Sequence, residues 1–283
     1  MFHPSNDTLK LLSCAEDFVI RVWDLVLKKE VSVMKPRGKD DNMAHMTTSM
    51  IFTNDKKTLI TGGRDSCLHF WNVNDNFKHI SSVRIETLGA LKFDEINNLV
   101  YVASKDDPSI IIGGSSGQIL VYSIKRQEII YKANESRILA NDDVVEDGSE
   151  TTNEIVFMEY LKNSNTVVAI NGDQNAFLYE IVTDSGVFIS LKLVESHTLY
   201  LDEIIDMKFI NQNKEAILCS NSESIKLFNF ETGSCELYPG HTDIVISVDK
   251  FQDPEDPERG WVLSGSKDQN VRLWRYDSSA DPF

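Results

Sequence analysis

Near the end of the chain, "SGSKDQNVRLW" (Ser264–Trp274) places a serine ten residues and an aspartate six residues before a tryptophan, with His241 upstream in "GHTD". Serine, histidine and aspartate are the residue types of acyl transfer: a hydroxyl nucleophile, an imidazole base and a carboxylate that orients it. The same types also build a purely structural hydrogen-bonded chain. A carboxylate accepts from one imidazole N–H, the other ring nitrogen accepts from a hydroxyl, and an indole N–H needs an acceptor. Copy number separates the two. Counting back from Trp71 finds Asp65 and Thr61 at the same offsets, with His45 upstream, and counting from Trp23 finds Asp17 and Ser13. A nucleophile has to be exposed beside an oxyanion hole, whereas these hydroxyls lie inside apolar runs. A set that recurs points to structure, and the chain is expected not to be an enzyme.

Other chemistry-bearing groups are sparse. Cys14, Cys67, Cys219 and Cys235 form no CxxC pair, and most lie in or beside apolar runs, so buried thiols in a reducing compartment are expected. His3, His69, His79 and His197 lack metal-ligand spacing, although His197 in "ESHTLYLDEI" has the look of a degenerate upstream histidine. "GGSSG" (Gly113–Gly117) has no Gly-Lys-Ser/Thr ending and reads as a strand-to-strand turn. No metal, cofactor or small-molecule substrate is expected.

The elements that must position these residues follow from the repeat. Trp23, Trp71, Tyr122, Tyr179, Phe228 and Trp274 are separated by 48, 51, 57, 49 and 46 residues, a period that marks a repeat architecture. Tyr179 keeps Asp173 six residues before it but has Ala169 in place of the hydroxyl, while Tyr122 and Phe228 keep only the strand–turn–strand shape. "TLITGG" and "SCLHFWNV" flank one turn, and "WVLSGS" and "NVRLWRY" another. Short runs, apolar on both faces and split by Gly, Asn and Asp, predict strands packed between neighbouring sheets. The class is all-β, with four-stranded sheets stacked radially. About six units are expected, over residues 1–34, 35–85, 86–133, 134–195, 196–239 and 240–283. The first lacks room for an opening strand and the last stops before an outer one, as in an incomplete part of a larger propeller.

These motifs resemble the WD-repeat (WD40) β-propeller family. The resemblance implies buried structural networks of His241, Ser264, Asp268 and Trp274; of His45, Thr61, Asp65 and Trp71; and of Ser13, Asp17 and Trp23. In unit order and in "VWDLVLKKEV", "LITGGRDSCLHFWNV", "YPGHTDIVISVD" and "SGSKDQNVRLWRY", the chain is similar to the transducin-beta-like-3 family of small-subunit processome (U3 snoRNP) subunits. That similarity implies a scaffold in 18S pre-rRNA processing and ribosome biogenesis, located in the nucleus and nucleolus, with other protein subunits of a ribonucleoprotein as partners. The family's further blades, second propeller and helical C-terminal region have no counterpart here. The alternative is a substrate receptor of a cullin ubiquitin ligase, or another WD40 adaptor. Such receptors often carry Trp-Asp-x-Arg, but Trp23-Asp24 is followed by Leu25 and Val26.

Charge sets the partner class. The formal net charge of −16 repels phosphate backbones and acidic lipids at long range, so contact with pre-rRNA or snoRNA is expected to be local or indirect. "KPRGKDDN" (Lys35–Asn42) is the main basic cluster, whereas "NDDVVEDGSETTNE" (Asn141–Glu154) and "DPEDPER" (Asp253–Arg259) are acidic loops. No apolar run is long enough to span a membrane.

Overall fold

The computed structural model of the chain describes residues 1, 9–35, 46–85, 95–104, 106–133, 154–199, 203–210, 214–252 and 259–277. "KPRGKDDN", "NDDVVEDGSETTNE" and "DPEDPER" lie wholly or almost wholly outside these residues, as do His3 and His45. The chain divides into two compact units, Met1–Tyr160 with Ile181–Lys192, and Leu161–Glu180 with Leu193–Phe283.

In the first unit, β1 (Lys10–Cys14), β2 (Ile20–Asp24) and β3 (Lys29–Met34) form a three-stranded sheet. A four-stranded sheet follows, of β4 (Thr47–Phe52), β5 (Thr58–Gly63), β6 (Cys67–Asn72) and β7 (Lys78–Arg84). A third holds β8 (Ile96–Val102), β9 (Ser109–Gly114), β10 (Ile119–Ser123) and β11 (Glu128–Lys132). The boundary between units runs through the fourth sheet, formed by β12 (Ile155–Leu161), β13 (Thr166–Asn171), β14 (Asn175–Asp184) and β15 (Val187–Thr198). The second unit adds a sheet of β16 (Ile204–Ile210), β17 (Glu215–Ser220), β18 (Ile225–Asn229) and β19 (Cys235–Tyr238). Its last sheet holds β20 (Val245–Gln252), β21 (Arg259–Ser266) and β22 (Val271–Asp277). Among the described residues the fold is all-β but for one 3-10 turn at Val73–Asp75, and the six meander sheets are blades of the propeller type.

Burial explains the composition of each strand. The inner strands are covered on both faces and so are apolar throughout rather than alternating: "SIIIGG" of β9 is wholly buried, and β5 is buried after its first residue. The outermost strands β3, β7 and β19 are largely exposed. Adjacent sheets interlock through side chains. Leu12, Ile20 and Val22 of the first sheet pack with Leu59 and Trp71 of the second. Ile60 and Leu68 pack with Ile96, Leu99 and Ile110 of the third. In the second unit, Ile217 and Ile225 pack with Val245, Val248 and Val262. Close approach demands glycine at position 113, where a Cβ would lie 2.5 Å from Met158 Sδ.

The turns between the second and third strands share one construction. The residue five before the aromatic is left-handed in five of the sheets: Phe18, Ser66, Gly117, Gln174 and Gln269 have φ of 64°, 58°, 84°, 64° and 66°. In three of these turns an aspartate precedes it and its carboxylate accepts from the backbone N–H two residues on, an Asx turn that offsets the strain. Asp17, Asp65 and Asp268 accept in this way from Val19, Cys67 and Asn270 at 3.3, 3.1 and 2.8 Å. This places the second carboxylate oxygen of each aspartate over the face of the third strand.

Candidate functional site

In the last sheet that oxygen completes a buried chain. His241 Nδ1 donates to Asp268 Oδ2 at 2.8 Å, and the Ser264 hydroxyl donates to His241 Nε2 at 2.8 Å. Trp274 Nε1 in turn donates to Ser264 Oγ at 2.8 Å. An ionised carboxylate only accepts, so the proton sits on Nδ1 and every remaining donor and acceptor role follows. Burial works against the Asp268 anion. Even so, the N–H groups of Thr242 and Asn270, together with His241, hold its carboxyl well below the usual carboxylate range. These contacts have the connectivity of a Ser-His-Asp triad, but Ser264 is 0% exposed and its oxygen is occupied by the indole. No substrate carbonyl has access to it. What the chain does is tie the loop before β20 to β21, the following turn and β22.

In the second sheet a histidine on the strand itself meets the turn aspartate. Trp71 Nε1 donates to Thr61 Oγ1 at 3.1 Å, as in the last sheet, but Asp65 Oδ2 meets His69 Nε2 at 2.7 Å. His69 lies on β6 and is 2% exposed, and its Nδ1 is 2.7 Å from Ser82 Oγ. His79 Nε2 reaches the same hydroxyl at 2.8 Å. His45, the histidine expected from the sequence, lies outside the described residues. In the first sheet Trp23 Nε1 donates to Ser13 Oγ at 2.8 Å. Asp17, however, is at the surface with its side chain 46% exposed, paired at 2.6 Å with Arg21. The structure brings Ser13 and Trp23 together and leaves Asp17 outside a buried network.

The middle sheets replace the motif. Tyr122, Tyr179 and Phe228 are buried at the aromatic position. Next to β10, the buried Asp107 accepts from Ser123 Oγ at 2.6 Å and pairs with Arg126 at 3.3 Å. On β18 the buried Lys226 donates to Ser220 Oγ. His197, at the end of β15, lies edge-on to Phe230 at 5.4 Å and bonds Glu195 at 3.1 Å. Burial pushes the Cys219 thiol up to about 12, and nearby Asp206 adds to the shift, so it is an inert core residue. Among the described residues, one group of metal-ligand types converges. Asp65, Cys67 and His69 each bring a ligand atom within 4.8 Å of the others.

A second candidate is a surface. Three positions recur in each repeat, eleven, three and one residues before the aromatic, and in the first, second and fifth sheets they pack against the following sheet. Leu12, Ile20 and Val22 are buried, as are Ile111, Ile119 and Val121. Ile60 and Leu68, Val168 and Ala176, and Ile217 and Ile225 are likewise buried, with Phe70, Leu178 and Leu227 half-buried. In the last sheet the same positions are Leu263, Val271 and Leu273, exposed by 45, 69 and 61%. Cross-strand register adds Phe251 opposite Trp261 on this face, both exposed. An exposed apolar face of this kind is a candidate interaction surface.

The WD domain, G-beta repeat family matches residues 1–24, 41–72 and 233–275. The chain is 25% identical to "Transducin beta-like protein 3" of Rattus norvegicus over 98% of its own length and 31% of that protein. It is 24% identical to "U3 small nucleolar RNA-associated protein 13" of Saccharomyces cerevisiae, covering 80% of this chain and 26% of that one. To "Protein SOF1" of the same yeast it is 25% identical, over 97% and 52%. The chain thus spans about a third of the length of the transducin-beta-like relatives it matches.

Proposed function

We propose, from the premise that this chain belongs to the WD40-repeat family and is similar along its length to the transducin beta-like protein 3 group, that it is a non-enzymatic scaffold of the small-subunit processome, the nucleolar particle that matures 18S ribosomal RNA. The name of the yeast U3-associated relative supports the class of complex. The observation that carries the scaffold role is the apolar face of the last sheet, with Leu263, Val271 and Leu273 exposed where the equivalent residues of the other sheets are covered. That face takes a protein surface of matching apolar character. A net charge of −16 directs most contacts to protein rather than to RNA phosphates.

The test is capture of the tagged chain from yeast, with U3 RNA and 18S precursor quantified in the eluate. Enrichment of both over an untagged control, reduced by Leu273→Glu with Val271→Glu, is the expected result. No enrichment of either RNA overturns the processome assignment, and recovery of a cullin adaptor in their place supports the ligase-receptor alternative.

A further inference from the structure

The turn-and-strand segment "DSCLH" gathers three donors of different chemistry. Cys67 and His69 are two residues apart on β6, so their side chains leave the same face. The left-handed Ser66 folds the turn back, and the Asx bond from Cys67 N to Asp65 Oδ1 pins the carboxylate above that face. The Asp65 carboxylate, the Cys67 sulfur and the His69 imidazole therefore meet within 4.8 Å. Their side chains are almost fully enclosed, with Asp65 and His69 at 4% and 2% exposure and Cys67 buried.

We propose that Asp65, Cys67 and His69 form a binding site for one zinc ion, with a water molecule as fourth ligand. Mixed thiolate, imidazole and carboxylate donors suit zinc rather than magnesium or calcium, which prefer all-oxygen shells. The distances require only a small rearrangement. Ligand bonds of about 2.0–2.3 Å on a tetrahedral ion put donor atoms about 3.3–3.8 Å apart. The Asp65–His69 contact of 2.7 Å opens by a fraction of an ångström, and the thiol, within 4.8 Å of the other donors, draws in by at most about 1.5 Å.

Charge favours occupation. Zinc binds the thiolate, so the Cys67 proton leaves to solvent. The ion, the carboxylate and the thiolate then sum to zero, which the enclosed site tolerates better than an isolated charge. The equivalent location on the first sheet already holds a cation, the guanidinium of Arg21 at 2.6 Å from Asp17. In the second sheet the His69 imidazole and the Cys67 sulfur stand there instead.

The surroundings supply orientation. With zinc on Nε2, His69 carries its proton on Nδ1 and donates it to Ser82 Oγ, 2.7 Å away. The Ser82 hydroxyl then donates to His79 Nε2 at 2.8 Å. Such outer partners fix the ring and raise the basicity of the ligand nitrogen.

Calorimetric titration of the chelator-treated full chain with Zn²⁺, paired with Co²⁺ absorption, tests the site. One ion per chain and a thiolate-to-cobalt charge-transfer band are expected. Cys67→Ser, nearly isosteric, removes the band and weakens zinc binding at least tenfold, whereas Cys235→Ser leaves both unchanged. Ser82→Ala weakens binding about tenfold with the band retained. Absence of stoichiometric binding overturns the proposal, and so does binding that Cys67→Ser leaves intact. If His69→Gln fails to fold, Cys67→Ser decides alone.

Discussion

Ser264→Ala isolates the buried chain of the last sheet. The serine oxygen is the hub: it accepts from Trp274 Nε1 and donates to His241 Nε2, both at 2.8 Å, and it is wholly buried. Alanine removes one atom and creates almost no cavity, so the cost falls on the two groups left behind. An unpartnered buried polar group costs about 1–3 kcal/mol. The enclosed His241 nitrogen bears this in full, and the part-buried indole N–H, which reaches water more easily, bears less. A loss of about 2–4 kcal/mol is expected, equivalent to a melting point lower by about 3–7 °C. Urea unfolding followed by tryptophan fluorescence measures it as a shift in midpoint at constant slope. A cycle with Trp274→Phe sharpens the result. Once the indole N–H is gone, Ser264→Ala should cost less by about 0.5–1.5 kcal/mol, because the two changes share a bond. A Ser264→Ala protein within about 0.5 kcal/mol of the parent, or strict additivity in the cycle, refutes the network as a stabilising unit.

Two further outcomes follow from the same geometry. The carboxyl of Asp268 is held below the usual range in the folded protein, so the unfolded chain binds its proton first as pH falls. Its contribution is complete above about pH 4 and is lost as pH drops through the folded value; Asp268→Asn should therefore show a shallower loss of stability between about pH 4 and pH 2 in acid titrations followed by circular dichroism. Leu68 and Val271 occupy the same repeat position, one fully buried and the other exposed. Leu68→Ala should cost about 2–5 kcal/mol in urea unfolding, and Val271→Ala less than about 0.5 kcal/mol.

The repeat period, the all-β class and the alignment of hydroxyl, aspartate and tryptophan are readable in the chain because they depend on local rules. Asp65 and Asp268 close left-handed turns whose geometry involves only neighbouring residues, and inner strands covered on both faces must be apolar throughout. His69 was not legible as a network member, since a histidine on a mostly apolar strand gives no sign of the turn carboxylate and the fourth-strand Ser82 that receive it. Asp17 shows the converse. Its offset matches Asp65 and Asp268, but the long side chain of Arg21 draws it to the surface.

By itself, the sequence determined which residues form strands and turns, because backbone conformation and the pattern of apolar side chains are local properties. Only the tertiary structure decided which partner each aspartate takes and which apolar face stays open. Asp65 finds His69 within its own sheet, Asp268 finds His241 from the loop before it, and Asp17 finds a guanidinium. Leu263, Val271 and Leu273 are as apolar as their counterparts in the other sheets, yet they are exposed. Burial is not a property of a side chain alone: it requires a second surface, and only the packing of one sheet on another reveals whether that surface is present.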